Sequence, residues 1–213
     1  MIDFERRRRA MVDAQRARGE IRDDRVLDAM AAVPRERFIP ESAWPQAYEE
    51  HALPIGADQT ISQPYVVSLM TDALELHTGD RVLEVGTGSG YQTAVLRQLV
   101  DEIVTIERID SLAAEARARF ADLGLDGIEV VVGDGTLGWP DRAPYDAIVV
   151  TAAGPSIPRH LREQLATGGR LVMPVGRSGE QTLTRVRRRR DGLDVMDDLG
   201  LVAFVPLIGE EGW

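Results

Sequence analysis

The 213-residue sequence predicts an α/β fold, a doubly wound, mostly parallel sheet with an antiparallel edge and an N-terminal helical lobe. Three observations carry the prediction. From Gly79 onward, short β-branched apolar runs alternate with amphipathic helical stretches, the pattern of a parallel sheet covered by helices on both faces. A glycine-rich turn, "GTGSG", stands directly between the first of those runs and the helix that follows it. Near the C-terminus two strand-like runs flank "DG" (Asp191, Gly192), a hairpin turn signal.

The elements follow in order. From Ile2 to about Ala32 apolar positions recur at helical spacing, and "RDDRVLDAMAAV" sets Val26, Leu27, Met30 and Val33 on one side behind an acidic first turn. Pro34, Pro40, Pro45 and Pro54 break regular structure, so 34–61 reads as an irregular cover anchored by Phe38, Ile39, Trp44 and Tyr48. A helix resumes at "SQPYVVSLMTDALEL", with Ser62 near its N-cap and Pro64 in its first turn. Strands are expected at "DRVLEVG", "EIVTIER", "IEVVVGD", "YDAIVVTAA" and "RLVMPVG", and a terminal hairpin ("QTLTRVRRRR", "LDVMDDLG") makes the sheet seven-stranded. The helix at "IPRHLREQLATGG" should stop at Gly168 and Gly169. One domain, 1–213, is expected in three parts: a helical, substrate-covering part at 1–78, a cofactor-binding core at 79–175, and edge strands with a substrate groove at 176–213.

Composition narrows the chemistry. There is no cysteine, and His51, His77 and His160 are scattered, so a metal site is not expected. All 25 basic residues are arginine, which removes Schiff-base chemistry on a lysine. A net charge of −10 argues against a dedicated nucleic-acid binder, and the arginine runs at 6–9 and 187–190 read as solvated faces. No apolar run reaches the eighteen residues of a membrane span, and the charged N-terminus does not read as a secretion signal, so a cytoplasmic protein is expected.

The glycine turn defines a ligand. Gly86, Gly88 and Gly90 follow a buried strand and precede a helix, the position where open parallel sheets bind ligands and where glycine lets them approach the backbone. A dinucleotide fingerprint requires G-x-G-x-x-G; here the third glycine comes one residue early and Tyr91 occupies the small-residue position, which disfavours a nicotinamide oxidoreductase. Glu84, two residues before the first glycine, suits a ligand with ammonium and sulfonium charges better than phosphates. "E-x-G-x-G-x-G" closely resembles the first motif of class I S-adenosylmethionine methyltransferases, Rossmann-like in fold. Glu107 ends the next strand, where such folds place an acid on ribose hydroxyls, and Asp134 ends the third, where this class keeps an acid or amide against the adenine amino group.

The resemblance extends further. "RVLDAMAAVPRERFIP", "QTISQPY", "VTIER", "VGDGTLGWP", "PYDAIVVTAA" and "FVPLIGEEGW" together resemble the protein-L-isoaspartate (D-aspartate) O-methyltransferase family along essentially the whole chain. The resemblance implies methyl transfer from S-adenosyl-L-methionine to isoaspartyl residues of unfolded proteins or peptides, leaving S-adenosyl-L-homocysteine, by a monomer that engages neither nucleic acid nor membrane. It assigns Thr60 and Ser62 to gripping the acceptor carboxylate, Ile61 to covering the methyl group, and Tyr65 and Val205 to the substrate groove. The cofactor set it implies is Glu84, Gly86, Thr87, Gly88, Ser89, Gly90, Tyr91, Glu107, Arg108, Asp134, Gly135 and Thr151, with Trp139 equally suited to packing. Two residues depart from the family pattern: Asp58, where glycine commonly precedes the glutamine, and Gly154, where alanine is frequent. Competing readings are a relative that methylates an aspartate in a dedicated ribosomal peptide, and a non-catalytic cofactor sensor; the intact "QTISQPY" argues against the sensor.

Overall fold

The computed structural model describes residues 2–189, 191 and 194–213. Arg190 of the second arginine run and Gly192 of the expected turn lie outside the described residues. Two helices, α1 (Phe4–Arg18) and α2 (Asp24–Ala32), open the chain, each with an aspartate side chain accepting from its first turn. Val26, Leu27, Met30 and Val33 are all buried, as their spacing predicts.

The 34–61 segment is more regular than its prolines suggest. Two 3-10 turns (Arg35–Phe38 and Glu41–Gln46) lead into a hairpin of β1 (Leu53–Gly56) and β2 (Gln59–Ile61). Its two-residue turn is Ala57 and Asp58, both at positive φ (49° and 56°), the backbone of a type I′ turn. Glycine or asparagine usually signals such a turn, and "AD" conceals it. Phe38, Ile39 and Tyr48 are buried, and Trp44 packs edge-on against Phe4. Helix α3 (Pro64–Ala73) follows with Pro64 at its first position and Gln63 at the N-cap, one residue beyond Ser62.

The main sheet contains β3 (Arg81–Val85), β4 (Glu102–Glu107), β5 (Ile128–Val132), β6 (Tyr145–Val150), β7 (Leu165–Arg177), β8 (Glu180–Arg188) and β9 (Asp194–Val202). Their order is β5-β4-β3-β6-β7-β8-β9; the first five run parallel, and β8 and β9 are antiparallel. Successive strand residues face opposite layers. Val82, Ile103, Ala147 and Val172 join the core shared with α2, α3, α4 (Tyr91–Arg97) and α5 (Asp110–Asp122). Leu83, Val104, Ile148 and Leu171 join the core under α6 (Arg159–Gln164) and Trp139.

Helix α6 ends at Gln164, before the expected glycine stop, because Leu165 already pairs with Tyr145 of β6. The chain then bulges before Arg170 pairs with Ala147, and Gly168, at φ +86°, sits within that bulge. The arginine runs are less free than a solvated face. Arg7 donates to the Pro45 carbonyl, Arg187 pairs with Asp197, and Arg188 donates to the Leu165 carbonyl at 2.6 Å.

Candidate active site

Strand order reverses at β3, with β4 on one side and β6 on the other, and ligands of open α/β sheets bind beyond strand C-termini at such a switch. The glycine turn leaves β3 there. Gly86, Gly88 and Gly90 all have positive φ (96°, 51° and 86°). At Gly86 a Cβ would lie 2.4 Å from the Thr151 hydroxyl, which itself donates to the Gly86 carbonyl at 2.6 Å. Glu107, at the end of β4, accepts from the Gly88 N–H at 2.8 Å and from the Ile109 N–H at 3.0 Å. Loop and flanking strand ends thus form one hydrogen-bonded floor.

A cleft opens above it, lined by Gln59, Thr60, Ile61 and Ser62 on one wall and by Val205, Pro206, Leu207 and Ile208 on the other. Between them lie Gly86, Thr87, Gly88, Ser89, Tyr91, Glu107, Arg108, Gly135 and Thr151. The second wall is held in place by backbone pairing, since the Ala153 N–H donates to the Val205 carbonyl and the Leu207 N–H to the Ala153 carbonyl, both at 2.8 Å. Most residues expected at the site therefore converge. Among the described residues neither the Thr60 nor the Ser62 hydroxyl has a hydrogen-bond partner within the protein, so both are available to a ligand. Pro206, Leu207, Ile208, Val67 and Gln92 also line the cleft, and the first three follow Val205 directly in the "FVPLIG" run, the signal in the sequence that marks them.

Four expected residues sit off the cleft lining, the first being Gly90, which packs against the Phe120 ring behind the loop. Glu84 lies wholly buried beneath the loop rather than on the cleft wall, its Oε2 accepting from Thr93 and from Thr105 (2.6 Å) while its Oε1 has no partner. Burial pushes its carboxyl up to about 7, opposed by the Thr105 and Thr93 hydroxyls and assisted by the negative charge of Glu107. Asp134 faces a neighbouring cavity and is engaged by its own chain: Thr136 N–H (2.9 Å) and hydroxyl (2.7 Å) donate to Oδ1, and the Glu210 N–H donates to Oδ2 (2.8 Å). Burial raises the Asp134 carboxyl, but those donors prevail and hold it below the ordinary carboxylate value. Tyr65 points away from the cleft toward α1, where its hydroxyl meets Glu20 and its ring lies 5.4 Å below the Arg18 guanidinium. Burial, reinforced by Glu20, pushes its phenol up to about 12.

The Tyr91 backbone borders the cleft, but its ring is buried and its hydroxyl lies 3.6 Å from Met30 Sδ. Trp139 is a packing residue whose carbonyl accepts from the Tyr145 hydroxyl at 2.7 Å. Asp58 is exposed at the hairpin tip and does not line the cleft. At Gly154 a Cβ would stand 2.6 Å from the Met173 methyl, so the alanine common elsewhere would need that side chain to shift.

The protein-L-isoaspartate (D-aspartate) O-methyltransferase (PCMT) family model matches residues 6–212. The chain belongs to this family. It is 53% identical over 210 residues to the protein-L-isoaspartate O-methyltransferase 2 of Pelobacter propionicus, covering 98% of this chain and 93% of that one. With the protein-L-isoaspartate O-methyltransferase of a Roseiflexus strain it shares 55% identity over 212 residues, covering 100% and 96%. Among solved structures, a protein-L-isoaspartate O-methyltransferase superposes with TM-score 0.87 at 28% identity over 96% of this chain and 67% of that one. A Plasmodium falciparum structure in complex with S-adenosyl-L-homocysteine gives TM-score 0.81 at 24% identity over 94% and 98%, a likeness of fold. The family accounts for the whole architecture, from helical lobe to closing C-terminal segment.

Proposed function

We propose that this chain is an S-adenosylmethionine-dependent protein carboxyl methyltransferase that methylates the free α-carboxylate of L-isoaspartyl residues and the side-chain carboxylate of D-aspartyl residues. Whole-length membership in the family supports the activity. The observation that carries the site assignment is the pairing of two unpartnered hydroxyls, Thr60 and Ser62, with the glycine floor across one cleft.

The residues present fit the cofactor. Gly86 and Gly88 open the backbone to close approach, Glu107 lies at the cleft with both oxygens able to accept further hydrogen bonds, and Glu84 beneath the loop would, when ionised, favour a cation above it. Glu107 would hold the ribose, Gly135 and Arg108 would border the remainder of the nucleoside, and Thr151 would keep Gly86 in place. Asp134, already engaged by Glu210 and Thr136, would act by fixing the C-terminal wall, with spare lone pairs to reach an adenine amino group. When bound, S-adenosylmethionine supplies an electrophilic methyl group.

The acceptor carboxylate has a reference pKa near 4 and is ionised at neutral pH, so no general base is needed. What the chain must supply is alignment. Thr60 and Ser62 donate hydrogen bonds to the acceptor oxygens, while Ile61, Val205 and Leu207 exclude water and confine the peptide. Normal aspartate carries its carboxylate one methylene farther from the backbone, a displacement a confined groove rejects. The methyl ester then closes to a succinimide without the enzyme, and hydrolysis returns part of it to normal aspartate. A monomeric, cytoplasmic enzyme acting on locally unfolded clients completes this reading.

The test is methyl transfer from labelled S-adenosylmethionine to paired peptides differing only in Asp or isoAsp. Labelling confined to the isoAsp peptide is expected. Equal labelling would refute the specificity, and no labelling of either would favour a non-catalytic cofactor sensor or a dedicated peptide substrate.

A further inference from the structure

The glycine loop is also held from the side away from the cleft, by α5 and the N-terminal lobe. Arg119 of α5 donates through Nη1 to the Ser89 carbonyl at 2.6 Å, and its guanidinium sits over the Phe38 ring at 5.8 Å. Phe38 is buried and meets Tyr91 edge to face at 5.5 Å, while the Arg35 guanidinium lies 4.9 Å from the opposite partner of that pair, the Tyr91 ring. At Gly90 a Cβ would stand 2.7 Å from the Phe120 ring.

Glycine makes the loop possible but does not make it unique. A peptide bordered by glycine can rotate between orientations at little steric cost. The Ser89–Gly90 peptide is fixed at both polar ends: its N–H donates to the Thr87 carbonyl at 2.8 Å, and its carbonyl accepts from Arg119. Gly88 is fixed by Glu107 and Gly86 by Thr151 in the same manner. Of these three restraints, the one from Arg119 comes from outside the cleft.

We propose that Arg119 is a positioning residue for cofactor binding: it sets the orientation of the Ser89–Gly90 peptide and, through Phe38, makes that orientation depend on the docked N-terminal lobe. The inference rests on the cofactor reading above. Arg119→Ala, Arg119→Gln and Arg119→Lys are to be titrated with S-adenosyl-L-homocysteine by calorimetry, alongside melting curves and KM and kcat with an isoAsp peptide.

Arg119→Ala is expected to weaken S-adenosyl-L-homocysteine binding about tenfold and to raise KM for S-adenosylmethionine in parallel, the loss typical of a charged hydrogen bond. The kcat at saturation should stay within about twofold, because the acceptor hydroxyls are untouched, and Arg119→Lys should recover part of the affinity. Phe38→Leu should weaken binding in the same direction and combine with Arg119→Ala less than additively. If the Ala variant does not fold, the Gln and Lys variants decide. Affinity within about twofold of the parent for every folded Arg119 variant overturns the proposal, whatever happens to the melting point. A parent protein that fails to bind S-adenosyl-L-homocysteine refutes the cofactor reading itself, an outcome seen before any variant is made.

Discussion

In the proposed reading, Glu84 beneath the loop acts on the cofactor side and the Ser62 hydroxyl above it on the acceptor side. Because Glu84 in the folded chain is raised from 4.5 to about 7, it keeps its proton longer than in the unfolded chain. The pH-dependent cost of its burial is therefore absent below about 4.5, grows as pH climbs, and levels off above about 7. Glu84→Gln should remove that decline, so urea midpoints at acidic and alkaline pH should differ less than in the parent, while S-adenosylmethionine affinity falls. Equal pH dependence in both proteins would contradict the assignment. Ser62→Ala is expected to lower kcat/KM for an isoAsp peptide about tenfold and to leave S-adenosyl-L-homocysteine affinity nearly unchanged, since it removes one donor to a charged acceptor. A collapse of cofactor affinity would move Ser62 to the other half of the cleft. Sequence located these residues unevenly for a physical reason. Glu107 and the glycines follow from strand and turn position alone, whereas Asp134 and Tyr65 are turned by partners remote in sequence, the Glu210 N–H and the Glu20 carboxylate.

The β1–β2 hairpin and the C-terminal segment are the elements that convert a nucleoside-binding floor into a cleft. The hairpin places two non-glycine residues at positive φ, a conformation that costs roughly 1 kcal/mol per residue for ordinary side chains. Ala57→Gly is therefore expected to raise stability by up to about 1 kcal/mol in denaturant unfolding, provided the flexibility glycine adds to the unfolded chain does not cancel it. The C-terminal segment is fastened by Glu211, whose carboxylate accepts from the His160 N–H (3.1 Å) and lies 2.9 Å from His160 Nδ1, and by Trp213, whose indole donates to the Ala153 carbonyl at 3.0 Å. Trp213→Ala should raise KM for peptide severalfold while leaving the melting temperature nearly unchanged, because it loosens a wall rather than the core. The hairpin escaped a sequence reading because its turn carries no glycine. The strands and helices after Gly79 did not, because a two-residue and a 3.6-residue period differ plainly in runs of that length.

For the molecule as a whole, charge is the property that reaches the substrate first. At net −10 the protein repels an anionic chain, and among the described residues lining the cleft Arg108 is the single cation. Peptides with basic flanks should therefore show lower KM than acidic ones of the same isoAsp core, and the gap should narrow as ionic strength rises. A gap that persists in high salt would place discrimination in direct contacts instead.

The two cleft walls, 59–62 and 205–208, stand on either side of the floor in sequence, one before it and one far after it. Bringing such segments to one cleft closes large loops, whose entropy must be met before the contacts between them stabilise the chain. A copy caught partway through refolding would then possess a nucleoside floor but no groove. It would sequester cofactor without modifying other chains, which are themselves unfolded at the same moment.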